Sequence, residues 1–97
     1  MKYTLDVTPR ADKEIIAAVK YYNGVSAELA MRFLSEVATA YSKIAQDPQY
    51  YKYINSKGRR LRCVSLLKFP FLVVYYVKAT DVLVISVRNT HRKSSYK

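Results

Sequence analysis

The stretch Phe71–Val77, which reads FLVVYYV, is an unbroken run of apolar and aromatic residues. Such a run is typical of a strand that is buried on both faces, so it predicts the central strand of a sheet. Ala79-Thr80-Asp81 is short enough for a hairpin, and it is followed by a strand-like segment, Val82–Asn89. Strict alternation in that segment places two sets of side chains on opposite faces: Val82, Val84, Ser86 and Arg88 against Leu83, Ile85, Val87 and Asn89.

A third strand is predicted upstream of the central one, over Arg60–Leu67, with Lys68-Phe69-Pro70 as the turn between them. Its alternation places Arg60, Arg62 and Val64 opposite Leu61, Cys63 and Ser65. The preceding segment, Gln49–Gly58, is predicted to be a connecting loop that carries Tyr50, Tyr51 and Tyr53. These tyrosines suit three roles: packing at the edge of the core, anchoring a protein target, or stacking on bases.

The N-terminal half predicts a short strand, Tyr3–Val7, and then two helices. Thr8-Pro9 begins the first helix and Asn23-Gly24 is expected to end it. Ser26 opens the second helix, which Asp47-Pro48 ends. Two amphipathic helices joined by a turn of two or three residues pack antiparallel. We therefore predict an α+β fold with order β-α-α-β-β-β as a single domain over residues 1–97: an N-terminal strand, then an antiparallel helical hairpin that packs on a mainly antiparallel four-stranded sheet.

The composition narrows the class of protein. The sequence has no apolar run of about 20 residues, and its first residues meet charge and proline too early for a signal peptide. A single cysteine, Cys63, forms no internal disulfide, and with a single histidine, His91, it argues against a zinc site. We expect a cytoplasmic protein without a metal or cofactor and without membrane contact.

The positive charge lies in the second half of the chain. Residues 1–47 carry six basic and six acidic residues, whereas residues 48–97 carry eleven basic residues and one acid, Asp81. The whole net charge of +10 therefore falls on one half. Such a field favours a polyanion or an acidic protein as partner over a device for solubility alone.

Over essentially its full length the sequence resembles the RelE/ParE toxin superfamily, most closely the ParE-like branch of plasmid stabilisation toxins. The resemblance rests on the order of elements and on several phrases. These are Ala11 and Tyr22, Ala30 and Phe33, Asp47-Pro48, Arg60…Arg62…Lys68-Phe69-Pro70-Phe71…Tyr75-Tyr76, and Val84-Ile85-Ser86-Val87 followed by Asn89-Thr90-His91-Arg92. Asn89 stands where the family commonly has His, and Ser94 where it commonly has Pro.

The resemblance implies the toxin of a bacterial type II toxin–antitoxin system, which inhibits growth. ParE-like members poison DNA gyrase without covalent chemistry of their own. A small acidic antitoxin wraps such toxins along the helical hairpin and the sheet edge, and its charge would complement the basic half. A homodimer or a toxin–antitoxin heterotetramer is compatible with this resemblance. Target contacts are expected at the basic residues Lys57, Arg59, Arg60, Arg92 and Lys93.

Two other functions stay open. RelE-like members are metal-independent enzymes that cut mRNA on the ribosome, which requires an activated 2′-OH, a neutralised phosphate and a protonated leaving group. The residues that would carry this chemistry here are Arg62, Arg88, His91, Arg92 and Tyr96. The remaining alternative is a non-toxic nucleic-acid-binding module, which would need only the basic half.

Overall fold

A computed structural model describes residues 3–54 and 60–90. The strands are β1 (Thr4–Val7), β2 (Tyr53–Ile54), β3 (Leu61–Ser65), β4 (Phe71–Lys78) and β5 (Asp81–Asn89). The helices are α1 (Pro9–Val25) and α2 (Ala27–Gln46), both between β1 and β2. The sheet order is β1-β5-β4-β3-β2, so β4 is central, as its apolar sequence predicts. The α+β class and the mainly antiparallel sheet are confirmed.

The number of strands was predicted wrongly, because the sheet has five strands and not four. The additional strand, β2, lies inside the segment predicted to be a loop and pairs antiparallel with Leu61 and Arg62 of β3. A two-residue strand is too short to show an alternating pattern in the sequence. The one parallel pair among the described strands joins β1 to the first half of β5 through Thr4↔Asp81 to Val7↔Val84.

A single residue, Ser26, joins the two helices. Its backbone N–H donates to the Tyr22 carbonyl at the end of α1, and its hydroxyl accepts from the Leu29 N–H at the start of α2. Asn23-Gly24 therefore does not end α1, which continues to Val25, and the predicted turn of two or three residues is absent. Thr8 caps α1 as predicted, with its hydroxyl accepting from the Ala11 N–H at 3.2 Å.

Aromatic rings join the helical hairpin to the sheet. Phe33 of α2 is fully buried, and its ring centroid lies 5.4 Å from Tyr22, 5.4 Å from Phe69 and 5.0 Å from Phe71. These residues belong to the main core, which lies between the hairpin and one face of the sheet. A smaller cluster, Leu61, Cys63 and Val74, forms on the opposite face.

A β-bulge in β5 changes which residues face the main core. Val74 pairs with Ser86, but the next residue, Tyr75, pairs with Val84, so Ile85 is the extra residue. Beyond the bulge Val87 joins Val82 and Val84 in the main core. The predicted alternation, which placed Ser86 and Arg88 with Val82 and Val84, is therefore wrong in the second half of the strand.

Candidate functional site

Residues 47–54, which follow α2, are held to the sheet through their backbone carbonyls. The buried Tyr75 hydroxyl donates to the Pro48 carbonyl at 2.6 Å. The Cys63 N–H donates to the Lys52 carbonyl at 3.1 Å, and Arg62 Nη1 donates to the Tyr51 carbonyl at 2.5 Å. Residues 47–54 therefore form a rigid support for the side chains that they carry.

Two arginines lie beside the Tyr53 ring at the edge of the sheet. The Arg62 guanidinium lies 4.0 Å from the ring centroid, and its Nη2 donates to the Tyr53 hydroxyl at 2.8 Å. Arg60 lies 5.7 Å from the same centroid. Both distances fall in the range of cation–π contacts, which hold the ring and the cations together at the surface. We call Tyr50, Tyr53, Arg60 and Arg62 the tyrosine–arginine surface.

The three tyrosines of this segment have different surroundings. Tyr51 is half-buried and packs against the main core, which is the core-edge role considered from the sequence. Tyr50 is 75% exposed and contacts Tyr51 edge-on, with ring centroids 5.0 Å apart. Tyr53 is 49% exposed. Packing therefore accounts for one of the three tyrosines and leaves two rings at the surface.

A second polar cluster lies where β5 continues past the end of β1. Glu14 of α1 accepts from the Ser86 hydroxyl and the Val87 N–H, both at 2.9 Å. Arg88 Nε donates to the Ser86 hydroxyl at 3.2 Å, and Arg10 lies 3.8 Å from Glu14 as an ion pair. The Glu14 carboxylate thus occupies a strand edge that would otherwise expose an unpaired N–H.

A cleft of 690 Å³ adjoins this cluster, between α1, the start of β4 and the end of β5. Its walls combine apolar and aromatic side chains with charged ones. The residues that line it include Arg10, Glu14, Ala17, Tyr21, Phe71 and Arg88.

Exposed apolar side chains mark the outer face of the helical hairpin. Ile16 is 54% exposed on α1, and Met31 and Leu34 are 70% and 44% exposed on α2. Ile16 lies one helical turn after Asp12 on α1, and Leu34 lies two turns before Tyr41 on α2. The Asp12 charge acts on the Tyr41 phenol, so these two helix faces are neighbours. We call Ile16, Met31 and Leu34 the outer hairpin stripe.

The structure brings together only some of the residues predicted for the site. Arg60 and Arg62 lie together at Tyr53, but Arg88 is separated from them by β4. The register pairs Arg62 with Tyr75 and Arg88 with Leu72, two residues of β4 that belong to clusters on opposite faces. The other predicted residues lie outside the described residues: Lys57, Arg59, His91, Arg92, Lys93 and Tyr96. Glu14 was not predicted from the sequence, because its role depends on a hydrogen bond with Val87, which is far away in the sequence.

Several described side chains have a pKa that burial raises above its usual value. Burial raises the pKa of the Tyr75 phenol, and burial together with the Asp12 charge raises that of Tyr41 to about 12. Burial also raises the pKa of the Cys63 thiol. A group that keeps its proton at neutral pH is a poor general base or nucleophile. These three side chains therefore contribute packing, and Tyr75 also contributes its hydrogen bond to the Pro48 carbonyl.

The described residues contain neither a metal-ligand cluster nor a membrane-spanning helix. Within 3–54 and 60–90, the side chains form no group of three or more His, Cys, Asp or Glu residues able to hold a metal ion. Neither described helix is both long and apolar enough to cross a bilayer.

The chain shares its fold with a solved toxin–antitoxin protein. A structure described as the chromosomal ParDE TA system from P. aeruginosa superposes with a TM-score of 0.79 at 17% identity. The match covers 92% of this chain and 97% of that chain. At this identity the superposition establishes the shared fold. No curated protein sequence gives a significant match.

A family model assigns the class of protein. The model that matches residues 5–94 describes toxins of type II toxin–antitoxin systems. Within this class the chain belongs to the ParE toxin family, named for the parDE system. The resemblance to the RelE/ParE superfamily, ParE-like branch, is thereby confirmed.

Proposed function

We propose that this protein inhibits growth by binding DNA gyrase and that an acidic antitoxin neutralises it. Membership of the ParE family over residues 5–94 is the observation that carries the proposal. ParE-like toxins act by binding, so the chain needs a target surface rather than a catalytic centre. The basic residues Lys57, Arg59, Arg60, Arg92 and Lys93 are our candidates for the target contacts.

The geometry of the described arginines supports binding over RNA cleavage. Arg62 is held by the Tyr51 carbonyl and by Tyr53, and Arg88 donates to Ser86. The register also places these two arginines on opposite faces of the sheet. A phosphate held between them would require rearranged strands, whereas a nuclease needs its groups positioned before the reaction. The RelE-like alternative would therefore depend on His91, Arg92 and Tyr96.

The target can be identified by inducing the protein in a bacterial host and reading DNA and mRNA from one culture. We expect growth arrest with intact mRNA, together with cleaved or relaxed plasmid DNA, and inhibition of supercoiling by purified gyrase. Arrest with translation-dependent mRNA cleavage that is lost in Arg92→Ala or Tyr96→Phe would contradict the proposal. That result would identify a ribosome-dependent nuclease.

The outer hairpin stripe is our candidate contact for the antitoxin. Ile16, Met31 and Leu34 form an exposed apolar surface on the outer face of the hairpin, and an amphipathic helix docks on such surfaces. The net charge of +10 would speed association with an acidic chain, while apolar contacts would keep the complex resistant to salt.

Leu34→Glu tests the antitoxin contact. We expect this change to weaken binding to the acidic protein encoded next to the toxin gene at least ~10-fold, because it places a charge in an apolar interface. Leu67→Glu is the matched control, since Leu67 is 84% exposed in the turn between β3 and β4. Titration of the two variants with the purified antitoxin gives the affinities. If both variants bind the antitoxin equally well, the outer hairpin stripe is not part of the antitoxin interface.

A further inference from the structure

Aromatic and cationic side chains alternate across three neighbouring strands on one face of the sheet. Tyr75 of β4 pairs with Arg62 of β3, and Arg62 pairs with Tyr53 of β2. Arg62 and Tyr53 are in contact as described above, and Arg60 lies beyond them at the edge. The row begins in the core at the fully buried Tyr75 and ends at the half-exposed Tyr53. At the sheet edge the row therefore exposes the Tyr53 ring beside the positive charges of Arg60 and Arg62.

The row is held in place before any ligand arrives. Tyr75 is fixed through the Pro48 carbonyl, and Arg62 through the Tyr51 carbonyl. Arg62 in turn holds the Tyr53 ring, which therefore loses little conformational entropy when another planar group stacks on it. The 75% exposed Tyr50 offers a second ring on the same rigid segment.

We propose that the tyrosine–arginine surface binds single-stranded nucleic acid, with bases stacking at Tyr53 and Tyr50 and the phosphate backbone contacting Arg60. Exposed aromatic rings combined with cations are the common recognition chemistry for single strands, because every base has a stacking face. Residues 48–80 carry no acidic residue that would repel the backbone. Paired bases in a duplex keep their faces stacked on one another, so the surface selects single strands.

This inference goes beyond the proposed function, because contacts with gyrase or an antitoxin require no base stacking. It also separates the roles of the two arginines. Arg62 is a positioning residue that fixes Tyr53 and the loop backbone. Arg60, without such a backbone contact among the described interactions, supplies charge to the phosphates.

Fluorescence anisotropy with labelled oligonucleotides of about twelve residues tests the proposal, since single-strand sites span about 4–16 nucleotides. The full chain, made by cell-free synthesis, is titrated with oligo-dT, oligo-rU and a DNA duplex of the same length. We expect both single strands, or one of them, to bind more tightly than the duplex. The stronger of the two identifies DNA or RNA as the source. Duplex binding as tight as single-strand binding would overturn the proposal.

Variants separate stacking from charge. Tyr53→Leu is expected to lower single-strand affinity about 5- to 150-fold, the range measured when stacking rings are removed. Tyr53→Phe should retain it, and Tyr50→Leu should lower it more weakly. Tyr21→Leu, which removes a 70% exposed ring on α1, is the control and should bind normally. Equal affinity of Tyr53→Leu and Tyr21→Leu, both folded by circular dichroism, would refute stacking at Tyr53.

The charge contribution is measured through the salt dependence. Arg60→Gln should reduce the slope of log affinity against log salt by about 1, because one phosphate contact is lost. Arg32→Gln removes one exposed cation from α2 and should leave the slope unchanged. Oligonucleotide binding that fails while gyrase is still inhibited would refute this inference and leave the proposed function standing. The reverse pattern would refute only the proposed function.

Discussion

Phe33→Ala is expected to lower the free energy of unfolding by about 3–5 kcal/mol, the usual cost of deleting a buried phenylalanine ring. Phe33 is fully buried and contacts Tyr22, Phe69 and Phe71, so its ring connects both helices to the β3–β4 turn and to β4. Small domains have a total stability of about 5–15 kcal/mol, so the variant should be partly or largely unfolded at 37 °C. Urea unfolding followed by circular dichroism measures the loss.

Met31→Ala provides the control for this change. Met31 lies on the same helix but is 70% exposed, so its truncation should alter stability by less than ~0.5 kcal/mol. Phe33→Leu should fall between the two variants, because it retains apolar volume but loses the edge-to-face ring contacts. A Phe33→Ala protein as stable as Met31→Ala would mean that the aromatic cluster does not join the two layers.

Glu14→Ala is expected to destabilise the protein by about 2–4 kcal/mol. The carboxylate accepts from the Ser86 hydroxyl and the Val87 N–H at 2.9 Å each, and Ser86 is buried. Hydrogen bonds to charged groups contribute about 1.5–3 kcal/mol each, and losing the acceptor leaves buried donors unpaired. The variant should also expose part of the β5 edge, so we expect concentration-dependent association in sedimentation experiments.

Two variants distinguish the role of Glu14 from a general effect of charge. Glu14→Gln keeps an acceptor oxygen and should recover about half of the lost stability. Glu28→Ala removes a carboxylate of the same helical hairpin, one whose exposed ion pair with Arg32 contributes less than ~1 kcal/mol. If Glu14→Ala and Glu28→Ala unfold at the same urea concentration, the carboxylate does not hold the β5 edge.

The sequence predicted those parts of the fold that depend on local signals. Thr8 and Ser26 were recognised as helix caps because a side-chain oxygen before an amphipathic stripe satisfies free backbone N–H groups. The apolar run at Phe71–Val77 identified the central strand because only a strand covered on both faces lacks alternation. In these cases the pattern and its physical cause lie within a few residues of each other.

The errors occurred where distant contacts override local preference. Asn23-Gly24 suggested a helix end, but packing of the hairpin and the cap at Ser26 extend α1 to Val25. The bulge at Ile85 has no sequence signature, and it moves Val87 into the core. β2 exists because Tyr53 and Ile54 meet β3, which no two-residue pattern can reveal.

The candidate site was predicted in composition but not in arrangement. The basic second half and the tyrosines of the linking segment were visible in the sequence, and Arg60 and Arg62 do lie together beside Tyr53. The hydrogen bond from Arg62 to the Tyr51 carbonyl could not be predicted, because it depends on how residues 47–54 pack against the sheet. The separation of Arg62 from Arg88 followed from strand order and the bulge, both of which are tertiary features.

The parallel pairing of β1 with β5 has a consequence for synthesis of the protein. Thr4 pairs with Asp81, and the Thr8 hydroxyl contacts the Ile85 carbonyl across 77 positions of sequence. A chain growing from its N-terminus can form the helical hairpin early, but β1 has no strand partner until β5 has been made. During translation the sheet is therefore completed only when β5 pairs with β1. A ribosome that stalls before β5 releases a chain that lacks the fold on which the proposed inhibition depends.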